Sequence, residues 1–182
     1  MVFIKTPICE FGSKIIDFKL KNIHESIISL DNIKGERGTL IMFICNHCPY
    51  VKAIIKQLVS IVKDLKKEGI NSVAIMPNDF IKYPEDNPEK MKQFSQENDF
   101  CFEYLIDETQ IIAKNYKAVC TPDFFGYNKE DELQYRGRFA EIKNLEVQNT
   151  DIDLLNSMIQ ISRTGNGPKK QFPSAGCSIK WK

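Results

Sequence analysis

Two cysteines, Cys45 and Cys48, stand at the boundary between two kinds of sequence. Residues 39–44 before them form an apolar, strand-like run, and the residues after them follow the spacing of an amphipathic helix. A thiol at a helix N-terminus faces unpaired backbone N–H groups and the positive end of the helix dipole, which lowers its pKa. A second thiol within reach can close a disulfide with it. This arrangement predicts a redox site, with Cys45 as the thiol ahead of the first helical turn.

His47 stands immediately before Cys48. A partly charged imidazole there would stabilise the Cys45 thiolate, and a solvated histidine without that role is the alternative. Residues 39–44 contain no Asp or Glu, so the group that moves the proton of Cys48 is open. A further alternative is that both cysteines are purely structural thiols. A structural zinc site uses the same spacing, but it needs two more ligands. The remaining cysteines are scattered singly, at Cys9, Cys101, Cys120 and Cys177. We therefore expect no metal and no other cofactor.

Alternating strand and helix patterns surround the motif and predict an α/β fold whose sheet is covered on both faces. Residues 15–20 and 26–30 predict an N-terminal hairpin, and the apolar run 39–45 predicts a central buried strand. An amphipathic helix of about five turns follows Cys48 and ends near Gly69. The later predicted elements are a strand at 72–76, a helix at 88–98, a strand at 102–106, a short helix at 110–116, a hairpin of 123–127 and 133–138, and a helix at 151–163.

Composition indicates one globular domain over residues 1–182, with a core at about 13–163 and a Gly- and Pro-rich tail at 164–182. The chain is 42% apolar and 27% charged, and its net charge of +1 comes from interspersed acidic and basic residues. We expect no nucleic-acid partner and no membrane partner, because the charge is balanced and no stretch approaches about 20 apolar residues. Residues 1–7 lack the apolar segment of a signal peptide, so we expect a cytoplasmic protein with mostly reduced thiols.

The CxxC ahead of a helix, this element order and Thr121-Pro122 before a late strand together resemble the thioredoxin-like superfamily. Within it the chain is similar to the redoxin branch, which holds the peroxiredoxin-like (AhpC/TSA) and TlpA-like thiol-disulfide oxidoreductases. The resemblance covers about residues 13–163 and implies a thioredoxin-like α/β fold. Such a fold has a central mixed β-sheet flanked by helices, and here we expect an N-terminal β-hairpin and a C-terminal tail around it.

The resemblance also implies roles for individual residues. Cys45 would attack a substrate disulfide, and Cys48 would resolve the mixed disulfide. The Thr121-Pro122 bond would be cis, and Thr121 would pair its backbone with an extended substrate strand. A trans proline that starts an edge strand is the alternative. Cys120 is either a small buried residue or a third thiol near the pair.

Arg136 and Arg138 follow in the second strand of the late hairpin, where peroxiredoxins hold an arginine that stabilises the reactive thiolate. On an alternating strand both side chains would face the same side, and solvated hairpin charges are the alternative. Peroxiredoxins also use a Pro-x-x-x-Thr-x-x-Cys loop, in which the threonine corresponds to Cys45. The upstream proline is missing here, and Cys48 would take the peroxidatic position.

The sequence therefore predicts a thiol-disulfide oxidoreductase that cycles Cys45 and Cys48. Its partners would be protein or small-molecule disulfides and thiols, with an electron donor that the sequence does not identify. A thiol peroxidase with Cys48 as the peroxidatic thiol is the second hypothesis, and a metal-handling protein that uses the pair with His47 is the third. In the tail, Ile179 and Trp181 supply apolar surface for docking, and we expect Cys177 to be a structural thiol.

Overall fold

A seven-stranded mixed sheet forms the centre of this computed structural model, which describes residues 3–148 and 151–182. In chain order the strands are β1 (Phe3–Lys5), β2 (Lys19–Asn22), β3 (Ile27–Ser29), β4 (Gly38–Phe43), β5 (Ile70–Met76), β6 (Glu103–Ile106), β7 (Cys120–Thr121), β8 (Asp123–Asn128), β9 (Leu133–Tyr135), β10 (Ile142–Lys143), β11 (Glu146–Val147) and β12 (Ala175–Ser178). The helices are α1 (Pro49–Lys67), α2 (Pro88–Glu97), α3 (Ile111–Asn115) and α4 (Asp153–Thr164).

The order of strands in the large sheet is β3-β2-β6-β5-β4-β8-β9. Strands β4, β5 and β6 are parallel, whereas β8 is antiparallel to β4 and the outer strands are antiparallel to their neighbours. The sheet is therefore mixed, and the fold is thioredoxin-like, as the sequence predicts. Among the helices of the described ranges, none has the length and apolar character to cross a bilayer.

Strand β4 is buried on both of its faces along its whole length. Leu40 and Met42 pack into the apolar cluster that contains the buried faces of α1 and α4, while Ile41 and Phe43 pack into the cluster on the other face of the sheet. Side chains of a strand alternate between the two faces, so a strand covered on both sides must be apolar at every position. This explains the continuous apolar run that precedes the two cysteines.

Helix α1 buries one apolar stripe against the sheet and leaves its lysines in solvent. Ile54, Leu58 and Leu65 on this stripe are almost fully buried. Burial of one such side chain contributes roughly 1.5–3 kcal/mol, so the stripe anchors the helix, and with it the loop at its N-terminus. Gly69 follows the last turn with a φ of +79°, a left-handed conformation that favours glycine. The predicted helix and its stop are confirmed.

Several predicted boundaries differ from the structure, and two of them lie in the N-terminal hairpin and the central strand. The N-terminal hairpin is present, but its first strand begins at Lys19 rather than at residue 15. The central strand ends at Phe43 rather than at Cys45. The strand stops there because the backbone N–H of Asn46 donates to the Asp86 carboxylate at 2.8 Å and not to a neighbouring strand. Cys45 therefore lies in the loop between β4 and α1.

The tail folds back onto the domain through a separate three-stranded sheet of order β1-β12-β7. Ile179 is only 3% exposed, and its backbone N–H donates to the carbonyl of Val119. The ring of Trp181 remains partly exposed beneath the ammonium of Lys114. The predicted docking of the tail is thus confirmed, and Ile179 is its buried anchor.

Candidate active site

The start of α1 determines which cysteine lies at the helix N-terminus. The helix begins at Pro49, and Cys48 is its N-cap residue. Proline favours the first helical position because its φ is already helical and it has no N–H to leave unpaired. The sulfur of Cys48 accepts the backbone N–H of Val51, one of the donors that a helix leaves unpaired at its start. Cys45 lies ahead of the first helical turn, as expected, but Cys48 rather than Cys45 is the residue at the helix N-terminus.

Both sulfurs are buried and both contact Thr121. The Cys45 thiol lies 3.3 Å from the Thr121 hydroxyl, and the Cys48 thiol donates to the Thr121 carbonyl at 3.1 Å. The two thiols also hydrogen-bond to each other. The Thr121-Pro122 bond is cis, as predicted. The structure thus brings together four of the residues that the sequence selected, and all six cysteines of the described chain are outside disulfides.

The surroundings of the two thiols separate their pKa values. The hydrogen bond from Cys45 is the main reason why the pKa of Cys48 is lowered to about 5, and burial opposes this shift. The N–H of Val51 lowers it further. Burial raises the pKa of Cys45 well above its usual range, and the negative charge of Asp86 adds to that effect. These surroundings favour ionisation of Cys48 over ionisation of Cys45.

His47 is held by a carboxylate rather than by a thiol. Its Nδ1 lies 2.6 Å from Oδ2 of Asp86, and its ring stacks on Tyr83 with 6.2 Å between the centroids. The bond to Asp86 is the main cause of a raised His47 pKa, and the charge of Cys48 raises it further. His47 is thus close to the site as expected, but its electrostatic partner among the two thiols is Cys48 rather than Cys45.

Asp86 is a buried carboxylate that the sequence analysis did not identify. Its Oδ1 accepts the backbone N–H groups of Asn46 and His47, and its Oδ2 accepts the side-chain amide of Asn78 as well as the His47 ring. Tyr104 donates to the side chain of Asn46 from the other side. Asp86 therefore fixes the loop that carries the cysteines, and it supplies the buried acid that residues 39–44 lack.

A metal-ligating set is present, although its oxygen atoms are occupied. One ligand atom each from Cys45, His47 and Asp86 lies within 4.8 Å of the others. Each carboxylate oxygen of Asp86 already accepts two hydrogen bonds from protein groups. A metal ion would have to displace these donors, so the arrangement is better described as a hydrogen-bonded acid–base network next to a thiol.

Cys120 packs as a buried residue directly before Thr121. Its thiol points to the carbonyl of Pro122 at 3.6 Å, and burial raises its pKa far above the usual range. The sequence left open whether it is a buried residue or a third thiol of the site. These contacts favour the first alternative.

The two arginines do not share a face, because β9 ends at Tyr135 before either of them. Arg136 is buried, with a bond of 3.0 Å to Asp123, whereas Arg138 is partly exposed and bonds to Asp153 at 2.6 Å. In the described part of the chain, no contact joins either guanidinium group to Cys45 or Cys48. The structure thus corrects the expectation that both side chains face the same side of one strand, and burial of Arg136 excludes the alternative of a solvated charge for that residue.

Cys177, which was expected to be a structural thiol of the packed tail, lies next to the site. It lies on β12 opposite Thr121, and it hydrogen-bonds to Cys48 through both its backbone and its side chain. No local spacing indicates this contact, because it depends on strand pairing between distant parts of the chain. A third cysteine therefore adjoins the CxxC pair.

The sequence pattern of the AhpC/TSA family matches residues 11–147. Among curated protein sequences, none matches the chain. An uncharacterized conserved protein from Geobacillus kaustophilus is 38% identical, with a TM-score of 0.93 over 100% of this chain and 97% of that one. A hypothetical protein from Sinorhizobium meliloti 1021 is 32% identical, with a TM-score of 0.90 over 98% of this chain and 97% of that one.

A secreted disulfide oxidoreductase from Mycobacterium tuberculosis, homologous to DsbE of E. coli, has a similar fold. It is 14% identical, with a TM-score of 0.60 over 78% of this chain and 93% of that one. At this identity the likeness shows the thioredoxin-like fold alone.

Proposed function

The chain belongs to the AhpC/TSA family, and we propose that it is a thiol-disulfide oxidoreductase that cycles Cys45 and Cys48 between dithiol and disulfide. Family membership supports a redox enzyme of the oxidoreductase or peroxidase kind. The observation that carries the narrower proposal is the contact between the two thiols at the N-terminus of α1, beside the cis peptide bond of Thr121-Pro122.

In this mechanism Cys48 attacks and Cys45 resolves, which reverses the roles expected from the sequence. The Cys48 thiolate attacks one sulfur of a disulfide, and the other sulfur leaves as a thiolate. Cys45 then loses its proton and attacks the Cys48 sulfur, so that the second substrate thiol leaves and a 45–48 disulfide remains. Asp86 and His47, whose ligand atoms lie within 4.8 Å of the Cys45 sulfur, are the proposed acceptors of that proton.

The proposed substrates are protein or small-molecule disulfides, and a thiol donor would return the pair to the dithiol. A cytoplasmic location, with its reducing thiol pool, suits this cycle and is part of the proposal. Thr121 would offer its backbone to an extended substrate strand. In the structure this backbone is paired with β12, so a protein substrate would have to take the place of that strand.

The test uses reduced protein, glutathione disulfide and peptide mapping of the products. The Cys177→Ser background restricts the outcome to the CxxC pair. The Cys177→Ser protein should form a 45–48 disulfide. The Cys45→Ser, Cys177→Ser double variant should keep glutathione on Cys48, and the Cys48→Ser, Cys177→Ser double variant should form neither product. Cys101→Ser, at an exposed thiol, is the control and should leave the 45–48 disulfide unchanged. An adduct on Cys45 in the Cys48→Ser variant would contradict the proposed roles.

A thiol peroxidase is the second candidate, because one observation favours it specifically. Cys48 is the N-cap of α1, and its sulfur is buried, so that a small peroxide reaches it more readily than a folded protein does. A peroxidase would form sulfenic acid at Cys48 before any disulfide. Trapping of that sulfenic acid in a Cys45→Ser, Cys177→Ser variant would support this candidate.

A further inference from the structure

Strand β12 lies on the backbone edge that a substrate strand would use. It pairs antiparallel with β7, with Cys177 opposite Thr121 and Ser178 opposite Cys120. On its other side it pairs with β1. The backbone of Thr121, next to the cis bond, is therefore already occupied by the chain's own tail.

The tail approaches this edge so closely that only glycine fits at one position. A Cβ atom on Gly176 would lie 2.0 Å from the Thr121 carbonyl oxygen and 3.1 Å from Cδ of Pro122. The hydroxyl of Ser174 donates to the Pro122 carbonyl at 2.8 Å. Gly176 and Ser174 thus fit β12 to the cis-proline segment, and the pairing is a specific contact of this site.

The same strand places a thiol against Cys48. Cys177 is 3% exposed and Cys48 is fully buried, and the two residues hydrogen-bond through the Cys177 backbone and through their side chains. Cys48 therefore has two thiol neighbours, Cys45 from its own loop and Cys177 from the tail.

We propose that Cys177 is a third redox thiol of this site, which forms a disulfide with Cys48 and is held there by β12 in the place of a substrate strand. The inference rests on the proposed function, because it needs Cys48 to react with disulfides. Cys48 first attacks a substrate disulfide and releases one substrate thiol. Cys177 then attacks the Cys48 sulfur, its proton passes to the second leaving thiolate, and a 48–177 disulfide remains. Two cysteine thiols are oxidised and one substrate disulfide is reduced to two thiols.

Cys45 and Cys177 can both resolve the mixed disulfide, and the charges around Cys177 suit it for this step. The pKa of Cys177 is raised to about 12, mainly by burial, and the hydrogen bond and charge of Cys48 are the second contribution to this rise. That second contribution ends once Cys48 is in a mixed disulfide and has lost its charge, while the ammonium of Lys180 continues to lower the Cys177 pKa. Cys45 loses the same contribution from Cys48, but it keeps the negative charge of Asp86 beside it throughout.

Return of the tail would also release the product. A bound peptide strand and β12 compete for the same backbone groups of Thr121. When β12 pairs again, it removes the substrate strand and brings Cys177 to the mixed disulfide in the same movement. Resolution of the mixed disulfide and displacement of the product are therefore coupled.

The test compares Cys45→Ser with the double variant Cys45→Ser, Cys177→Ser after treatment with glutathione disulfide. We expect the single variant to form a 48–177 disulfide and the double variant to keep glutathione on Cys48. Adding Cys120→Ala to the single variant is the control and should leave the 48–177 disulfide in place. Retention of glutathione on Cys48 in the single variant would overturn the inference.

The same experiment distinguishes this inference from the proposed function. A 45–48 disulfide in Cys177→Ser without a 48–177 disulfide in Cys45→Ser would overturn the inference alone. A 48–177 disulfide in Cys45→Ser without a 45–48 disulfide in Cys177→Ser would overturn the proposed 45–48 pair and support Cys177 as the partner of Cys48. The absence of any adduct or disulfide at Cys48 in every variant would overturn both.

The position of β12 is tested separately with Gly176→Ala, since the added Cβ cannot fit against Thr121. We expect labelling of Cys48 by a bulky maleimide to accelerate by about tenfold or more, relative to labelling by small iodoacetamide, because the strand opens more often. Ser178→Ala, on the same strand, adds no atom and should not change this ratio. An unchanged ratio of maleimide to iodoacetamide labelling in Gly176→Ala would contradict the role of β12. If Gly176→Ala does not fold, the comparison of Cys45→Ser with Cys45→Ser, Cys177→Ser still decides the role of Cys177.

Discussion

Nδ1 of His47 lies 2.6 Å from Oδ2 of Asp86, a carboxylate that is completely buried. This bond joins the imidazole and the carboxylate beside Cys45, and the proposed mechanism uses the two groups together as the proton acceptor for that thiol. A buried carboxylate near the pair is the group that the strand before the cysteines lacks. The position of this carboxylate on the short 3-10 helix Pro84–Asp86 ties the loop after β5 to the redox loop.

The Asp86→Asn variant should have a lower free energy of unfolding than the wild type, and it removes the negative charge beside His47. An amide has one acceptor oxygen where the carboxylate has two, so it cannot accept from all four donors that bond to Asp86, and at least one buried donor is left unpaired, at a cost of about 1–3 kcal/mol. We also expect the pKa of His47 to fall. Urea unfolding measures the first effect, and an NMR titration of the ring measures the second. Glu85→Gln, at an exposed neighbour, is the control, and equal stability of the two variants would contradict the role of Asp86.

His47 should make the stability of the protein depend on pH. Its pKa is raised in the folded state by Asp86, above the value of about 6.5 in the unfolded chain. The stabilisation from the charged ring is therefore complete below pH 6.5 or so and is lost as pH rises through the folded pKa. We expect the difference in unfolding free energy between the wild type and His47→Gln to shrink over that range. His24→Gln, at an exposed histidine, should show no such trend.

Cys45 should control the ionisation of Cys48. The thiol of Cys45 is the main donor to the Cys48 sulfur and lowers its pKa to about 5. Cys45→Ala removes the donor, whereas Cys45→Ser keeps one. We expect Cys45→Ala to raise the pKa of Cys48 by about one unit or more, and Cys45→Ser to raise it less. The ultraviolet absorbance of the thiolate against pH, with a Cys48→Ser reference, measures both, and equal values for the two variants would exclude this cause.

The two arginines should differ in their effect on stability. Arg136→Met leaves the buried Asp123 carboxylate without its partner, at a cost of about 3 kcal/mol. Arg138→Met removes a partly exposed pair with Asp153, at a cost of about 1 kcal/mol or less. Chemical unfolding of both variants tests the contrast. A large loss of thiol reactivity in Arg136→Met at unchanged stability would instead point to a direct effect on Cys48.

The fold was largely predictable from the sequence because its signals are local. The apolar run of β4 and the stripe of α1 follow from the periodicities of a buried strand and an amphipathic helix. The place of Cys48 was also available locally, since Pro49 is typical of the first helical position and makes the preceding residue the N-cap. Pro49 therefore marks Cys48, from the sequence alone, as the thiol at the helix N-terminus.

The remaining parts of the site depend on contacts between distant segments. Asp86 is one of several acidic residues in a polar loop, and only the packing of that loop against Asn46 distinguishes it from the others. Cys177 meets Cys48 because β12 pairs with β7, and no sequence spacing encodes that pairing. Arg136 becomes a structural ion pair because Asp123 is buried beneath it. Such contacts arise from tertiary packing, which single-sequence patterns do not report.

The most direct test of the central claim is a stopped-flow comparison of reduced wild-type protein with a small disulfide and with hydrogen peroxide. We predict that the disulfide is reduced much faster and that mapping of the product finds Cys48 in a disulfide with Cys45 or Cys177. No threonine stands three residues before Cys48 to hold a peroxide oxygen, because Cys45 occupies that position. Oxidation by peroxide at about 10⁵ M⁻¹s⁻¹ or more, with sulfenic acid first at Cys48, would contradict the claim and make the protein a thiol peroxidase.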